Sequence, residues 1–167
     1  LGDKPLYFVP GNHDWWSGFQ SLRHLEQAGA HVLLNSAEKI TINGEHLWMV
    51  GVDDPYTGRD RLDLALEGVN DAAPKLLLAH APNIFPEATR QGLDLVLVGH
   101  THGGQVRIPL VGAIIVPGQK LFPKWDYGLF RSGKTTMVIN GGLGETSLHV
   151  RINNRPEIVL IKLVPAK

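Results

Sequence analysis

The chain has 167 residues, of which 43% are hydrophobic, which is enough for one globular core and too little to indicate two. Its 16 Lys and Arg residues balance 16 Asp and Glu residues, so the basic surplus needed to bind a nucleic-acid backbone is absent. Because the chain lacks cysteine, disulfides and thiolate ligands are excluded, and any metal ion must be held by nitrogen and oxygen atoms. We therefore expect a single domain over residues 1–167 that does not bind nucleic acid.

The first part of the chain predicts strands and helices that alternate. Residues 6–9 predict a short strand that leads into the loop PGNHD, and residues 18–30 carry apolar side chains at helical spacing. Asn43 and Gly44, a pair favoured in tight turns, predict a hairpin between residues 31 and 52.

Further along, strands continue to alternate with helices and then dominate. A helix is predicted over residues 60–69, followed by strands in LLLAH and LDLVLVGH with a helix over residues 86–91 between them. Beyond Val106 short β segments prevail, with Gly and Pro between them. These segments are RIP (107–109), GAIIVP (112–117), YGLFR (127–131), TTMVIN (135–140) and EIVLIKLV (157–164).

Four of the eight histidines, His13, His80, His100 and His102, follow predicted strands, where functional residues tend to lie. His100 and His102 are two residues apart, so an extended or gently bent backbone directs both rings to the same side. Imidazole binds Zn, Fe and Mn alike, and added oxygen ligands favour Mn or Fe. The pattern indicates a metal site, although a lone histidine is more often structural and amidohydrolases also carry a His-x-His pair at a strand end.

Three motifs occur in the order GNHD (11–14), AHAP (79–82) and GHTH (99–102). In this order they resemble the calcineurin-like metallophosphoesterase superfamily. The longer strings GHTHGGQVRIP, GLFRSGKTTMVINGGLG and RPEIVLIKL are similar to its branch of bacterial YkuE- and YaeI-type phosphodiesterases. The resemblance implies an α+β fold, in which a two-sheet β-sandwich is flanked by helices in four layers, with a metal site at the carboxyl ends of the strands.

The resemblance also implies a ligand set for two divalent ions, with Mn, Fe and Zn as the expected metals. Asn12, His80 and His100 match ligands of one ion, and His102 matches a ligand of the other. In such a dinuclear site, a bridging hydroxide attacks the phosphorus of a phosphomonoester, phosphodiester or pyrophosphate while the metals clamp its oxygens.

Two further residues take catalytic roles from the same resemblance. His13 matches the histidine that contacts the substrate phosphate, either to stabilise charge or to protonate the leaving oxygen. Asp14 would hold the His13 ring in the right tautomer and raise its basicity.

The chain departs from the family pattern in its first residues. The family's Asp-x-His and Gly-Asp-x-x-Asp motifs are not found upstream of GNHD, and Asp3 does not fit the required spacing. Asp53 and Asp54 are weak substitutes, because a strand end that leads into a proline turn explains them better. We therefore expect an amino-terminally truncated domain that lacks its first strands, binds metal weakly and hydrolyses phosphoesters poorly or not at all.

The resemblance implies a phosphorylated small molecule or a nucleotide-linked lipid as substrate. Trp15 and Trp16, directly after GNHD, either receive part of that substrate or pack the next helix. Location is left open, as is membrane association through an amino-terminal segment. The alternative function is a non-catalytic protein-binding scaffold on the same fold, although a scaffold has no need of the intact GNHD, AHAP and GHTH motifs.

Overall fold

The computed structural model describes residues 4–116, 119, 121–144 and 149–164. Within these residues the α-helices are α1 (Asn12–Trp16), α2 (Gln20–Gln27), α3 (Leu62–Ala65) and α4 (Phe85–Arg90). The strands are β1 (Tyr7–Phe8), β2 (His31–Val32), β3 (Ser36–Ile42), β4 (Glu45–Gly51), β5 (Lys75–Leu78), β6 (Leu95–Val98), β7 (Arg107–Ile108), β8 (Gly112–Ala113), β9 (Gly128–Ser132) and β10 (Thr135–Ile139). No helix among them is long and apolar enough to cross a membrane.

The main sheet has six strands in the order β3–β4–β5–β6–β10–β9. Strands β4, β5, β6 and β10 are parallel, whereas the edge strands β3 and β9 run antiparallel to their neighbours. Two small sheets, β1–β2 and β7–β8, complete the mixed architecture, and the predicted α+β class is confirmed. Because parallel strands share one direction, the residues that follow β4, β5, β6 and β10 meet at a single edge of the sheet.

The hydrophobic core lies on the face of the main sheet that α3 and α4 cover. Alternate residues of the central strands are buried there, including Leu77, Val96 and Met137, each with an exposed fraction of 0%. Burying each such side chain contributes about 1.5–3 kcal/mol to stability. This core makes the main sheet a rigid base for the residues at its edge.

The small β1–β2 sheet packs closely against the end of β4. A Cβ atom at Gly51 would lie 2.2 Å from the Cβ atom of Leu33 and 2.9 Å from a methyl group of Val9, so only glycine permits this approach. The contact brings the residues that follow β1 close to the edge of the main sheet.

Most of the predicted elements are present. The hairpin β3–β4 turns at Asn43 and Gly44, whose φ angles of 52° and 85° are those of a tight primed turn. The helix predicted over residues 18–30 is α2, and the one predicted over 60–69 is the shorter α3.

Two predictions about local structure are wrong. PGNHD was expected to be a loop, but Asn12–Trp16 forms α1, since the Asp14 carboxylate accepts a hydrogen bond from the Gly11 N–H and so closes the first turn. The segment 157–164 was expected to be a strand, and it pairs with no strand of the described part of the chain. In the described part of the chain no neighbouring strand pairs with this segment, and Leu160 has an exposed fraction of 94%.

Candidate metal centre

Three of the predicted metal ligands converge at the edge of the main sheet. His80 follows β5 by two residues, His100 follows β6 by two residues, and Asn12 is the first residue of α1. The Oδ1 atom of Asn12 lies 2.7 Å from Nε2 of His80, and Nδ1 of His100 lies 2.8 Å from the same Nε2 atom. Asn12 is buried, and both rings are half-buried. The structure therefore gathers one amide oxygen and two imidazole nitrogens into a single cluster, hereafter the Asn12–His80–His100 cluster.

Glycine makes the contact between α1 and His80 close. A Cβ atom at Gly11 would lie only 2.5 Å from Nδ1 of His80 and 2.7 Å from its Cγ, so the Gly11 backbone is packed against the face of the ring. The backbone angles of Gly11 are ordinary extended ones, which any residue can adopt. Glycine is required here because a side chain would clash with the His80 ring, and not because of the backbone angles.

The GHTH segment is bent sharply and tied at its centre. His100 and His102 have φ angles of 66° and 50°, in the left-handed region. Between them, the buried Thr101 hydroxyl donates to the carbonyl of Asp126 over 2.7 Å and accepts from the N–H of Gly103. The bend is sharper than the extended or gently bent backbone that was predicted, and His102 begins a single turn of 3-10 helix.

His102 and His13 lie outside the tight cluster but within its electrostatic reach, since both act on the pKa of His80 and of His100. His102 is half-buried, and its carbonyl accepts a hydrogen bond of 2.6 Å from Asn154. His13 is exposed on α1, with its ring edge-on to Trp16 at 5.0 Å. The proposed action of Asp14 on the His13 tautomer stays a prediction.

Burial keeps the cluster histidines neutral. Burial is the largest cause that lowers the pKa of His80, His100 and His102, and for His100, where the neighbouring His80 adds to it, the pKa falls to about 4. Asp54 and Asp14 act in the opposite direction on His80. A neutral imidazole keeps a lone pair, which is the form that binds a metal ion.

The residues of the cluster fit a single divalent ion. The nitrogen of His100 that faces His80 is Nδ1. The other ring nitrogen, Nε2, is buried and has no hydrogen-bond partner in the described part of the chain. A metal ion bound to two nitrogens at about 2.0–2.1 Å each would hold them ~3 Å apart, which is close to the 2.8 Å between His80 Nε2 and His100 Nδ1. Over the described residues no group of three or more His, Asp or Glu side chains could hold a metal. The third polar atom of the cluster is the amide oxygen of Asn12.

The two aspartates after β4 hold the turn and the neighbouring helix α1 by hydrogen bonds. Asp54 is fully buried and accepts hydrogen bonds from the backbone of Tyr56 and from the N–H and hydroxyl of Thr57. Asp53 accepts from the indole N–H of Trp15 over 2.7 Å and from the N–H of Asp54. Both carboxylates accept hydrogen bonds, and those of Asp54 lie within the turn that the proline-turn interpretation predicts.

Tyr56 is a site residue that the sequence analysis missed. Its ring lies 4.3 Å from the ring of His100, centroid to centroid. The string DDPY follows β4 just as AHAP follows the parallel strand β5, and this shared position was the available signal. A cleft of about 420 Å³ opens beside His100 and His102, with Tyr7 and Asn140 in its walls.

Comparison with known proteins decides the family. Residues 1–104 match the family model of the calcineurin-like phosphoesterases. The chain belongs to the calcineurin-like phosphoesterase family. Family membership confirms the resemblance found in the three motifs, excludes the amidohydrolase reading and implies divalent metal ions.

Several curated proteins are similar to this calcineurin-like phosphoesterase chain. Phosphodiesterase YaeI of Escherichia coli is 34% identical over 166 residues, which cover 96% of the chain and 58% of YaeI. The metallophosphoesterase YkuE of Bacillus subtilis is 32% identical over 93% of the chain and 54% of YkuE. A transmembrane protein with a metallophosphoesterase domain from Danio rerio is 34% identical over 96% of the chain and 39% of that protein.

The chain therefore spans little more than half of YaeI and YkuE, and less of the Danio rerio protein. No solved structure gives a significant match.

Proposed function

We propose that the chain takes part in metal-dependent hydrolysis of phosphoester bonds in a phosphomonoester, phosphodiester or pyrophosphate. The observation that carries the proposal is the Asn12–His80–His100 cluster, in which Oδ1 of Asn12 and Nδ1 of His100 each lie within hydrogen-bond distance of Nε2 of His80 at the carboxyl edge of the main sheet. Membership of the calcineurin-like phosphoesterase family supports phosphoester hydrolysis as the reaction at this cluster. The name of the relative YaeI, a phosphodiesterase, favours a phosphodiester among the three bond types.

The side chains of the cluster would hold one ion, and His102 would contribute to a second. The bound ions would supply a water molecule of lowered pKa as nucleophile and positive charge to clamp the phosphoryl oxygens. The chain itself supplies the geometry, because Gly11 fixes the ring of His80 and the bend at Thr101 fixes the direction of His100. We propose that the complete site binds two ions, with Mn, Fe or Zn as the metal.

His13 would act on the substrate and not on the metal. It is exposed at the start of α1, one residue from the ligand Asn12, so a phosphate held at the cluster lies within reach of its ring. In the protonated form the imidazole donates a proton to the leaving oxygen, and in the neutral form it donates an N–H hydrogen bond to a phosphoryl oxygen. Asp14 closes the turn of α1 from which His13 projects.

The described ligands are too few for rapid turnover. Three ligands without any carboxylate leave the charge of one ion uncompensated, and the second ion would have His102 alone among the described residues. We expect this chain by itself to hydrolyse phosphodiesters at a rate close to background.

The test is hydrolysis of bis(p-nitrophenyl) phosphate with Mn²⁺. It uses the chain alone and the chain extended upstream by a segment that carries the family's Asp-x-His and Gly-Asp-x-x-Asp motifs. We expect Mn²⁺-dependent turnover from the extended protein only. His13→Ala in that protein should lower kcat by about 10²- to 10⁴-fold. His24→Ala, an exposed histidine on α2, is the matched control and should leave kcat unchanged.

Either of two results would contradict the proposal. The first is an extended protein that binds Mn²⁺ and keeps its circular dichroism spectrum but shows no turnover, which would favour the protein-binding scaffold. The second is turnover that His13→Ala and His24→Ala affect equally.

A further inference from the structure

A second cavity, of about 300 Å³, shares His100 in its lining with the 420 Å³ cleft. Tyr56, Lys124 and Trp125 line it together with His100. Its volume is at the lower end of the range of about 300–1,000 Å³ found for small-molecule pockets, which is enough for one ring system. The metal chemistry proposed above uses His100 but neither Tyr56 nor Trp125.

Two side-chain hydrogen bonds hold the backbone on the Tyr56 side of the cavity. The N–H of Tyr56 donates to the fully buried carboxylate of Asp54 over 3.0 Å. The side chain of Asn83, which also lines the cavity, donates to the carbonyl of Pro55 over 2.6 Å. The ring of Tyr56 is 39% exposed, so it offers aromatic surface on a fixed backbone.

Trp125 forms a second aromatic surface, anchored to the core. Its ring packs edge-on against the buried Phe85 at 6.0 Å, and Trp125 itself is only half-buried. The next residue, Asp126, accepts the hydroxyl hydrogen of Thr101 and so links this segment to the GHTH bend. The position of Trp125 relative to His100 is therefore fixed through one hydrogen bond.

Lys124 gives the cavity a positive charge. Its ammonium nitrogen lies 4.8 Å from the centre of the Trp125 ring, a cation–π distance. It makes no ion pair with a carboxylate in the described part of the chain. An anionic ligand with an aromatic part thus finds both a charge and ring surfaces beside His100.

We propose that this cavity binds a flat aromatic substituent of the phosphoester substrate, whose phosphate lies at the Asn12–His80–His100 cluster. The inference rests on the proposed function for the position of the phosphate, and it adds a substrate class, the phosphodiesters with an aromatic ester group. Stacking on Tyr56 or Trp125 selects such a group over an aliphatic one, because aromatic pairs gain energy beyond the area that they bury.

The test compares the binding of phenylphosphonate, cyclohexylphosphonate and methylphosphonate, whose carbon–phosphorus bond is not hydrolysed. Binding is followed in ¹H–¹⁵N spectra through the indole signals of the four tryptophans, with and without Zn²⁺. Phenylphosphonate should move the Trp125 signal and leave that of Trp48 in place. It should bind more tightly than the other two, by roughly 2- to 10-fold, as expected for one aromatic contact.

Tyr56→Leu should remove this preference for the phenyl group, so that the variant binds phenylphosphonate and methylphosphonate with nearly equal affinity. Tyr127→Leu is the matched control, because Tyr127 is 37% exposed, does not line the cavity and hydrogen-bonds to Glu157. Equal affinities for phenylphosphonate and methylphosphonate, or an equal effect of the two tyrosine variants, would overturn the inference. A preserved phenyl preference, together with an extended protein that binds Mn²⁺ but does not hydrolyse phosphodiesters, would contradict the proposed function alone.

Discussion

At the scale of single residues, Trp15 and Trp16 are neighbours in sequence with opposite environments. Trp15 donates its indole N–H to the buried carboxylate of Asp53, stacks on Phe19 at 3.9 Å and lies under the guanidinium of Arg59 at 4.1 Å. Trp16 is 66% exposed. The packing interpretation of Trp15 is therefore favoured over a substrate contact, since its ring joins α1 to the end of β4.

Trp15→Phe should destabilise the protein by about 1–3 kcal/mol, because the variant leaves a buried carboxylate without one of its donors. Trp16→Phe is the matched control and should change stability by less than about 0.5 kcal/mol, as is usual at exposed positions. The free energy of unfolding in urea checks both values. Equal values for the two variants would mean that the bond between Trp15 and Asp53 does not stabilise the fold.

The convergence of Asn12, His80 and His100 could be predicted from the sequence, whereas the position of Tyr56 beside them could not. His80 and His100 lie at fixed short distances after apolar strands, and parallel strands bring such positions together whatever the loops do. Tyr56 and Trp125 reach the site through a turn made by Asp54 and through the bond between Thr101 and Asp126. Such contacts depend on tertiary structure and leave no periodic pattern in the sequence.

At the scale of secondary-structure elements, the start of α1 and the end of β5 touch through Gly11. The close approach of Gly11 to the ring of His80 sets the position of His80 in the cluster. The sequence indicated strand, loop and helix here, and the additional helix α1 depends on a side-chain cap that hydrophobic periodicity does not reveal.

Gly11→Ala should lower Mn²⁺ affinity by at least about tenfold, as displacement of groups that orient metal ligands commonly does. The added Cβ atom has to displace the ring of His80, while the backbone angles of Gly11 suit alanine. Gly144→Ala, where a Cβ atom meets nothing within 4 Å, is the control. Calorimetric titration measures the affinities, and an unchanged value for Gly11→Ala would refute the close packing of α1 on His80.

At the scale of the whole molecule, the described structure departs from the predicted strand order in its last segment, residues 157–164. The parallel core, the histidine edge and the two small sheets form, but the segment 157–164 has no strand partner in the described residues. The apolar alternation of this segment predicted a strand, which the described structure does not contain. A strand also needs a neighbour with free backbone groups, and a single segment cannot encode one.

Leu160→Lys should slow aggregation of the protein without unfolding it. Leu160 is 94% exposed within an alternating apolar segment, and a charge in such a segment opposes association between strand edges. Stability should change by less than about 0.5 kcal/mol, because the side chain is not packed. Leu110→Lys, at an equally exposed leucine outside this segment, is the control. Light scattering during heating measures aggregation, and equal delays in both variants would show that segment 157–164 has no special part in it.

The single most direct test of the account is calorimetric titration of the chain with Mn²⁺ and Zn²⁺. We compare the unmodified protein with its His80→Ala, His100→Ala and His24→Ala variants. The account predicts one bound ion per chain and affinity that falls by at least about tenfold in the first two variants and stays unchanged in the third. Equal affinity in all four proteins would contradict the central claim that Asn12, His80 and His100 form a metal site.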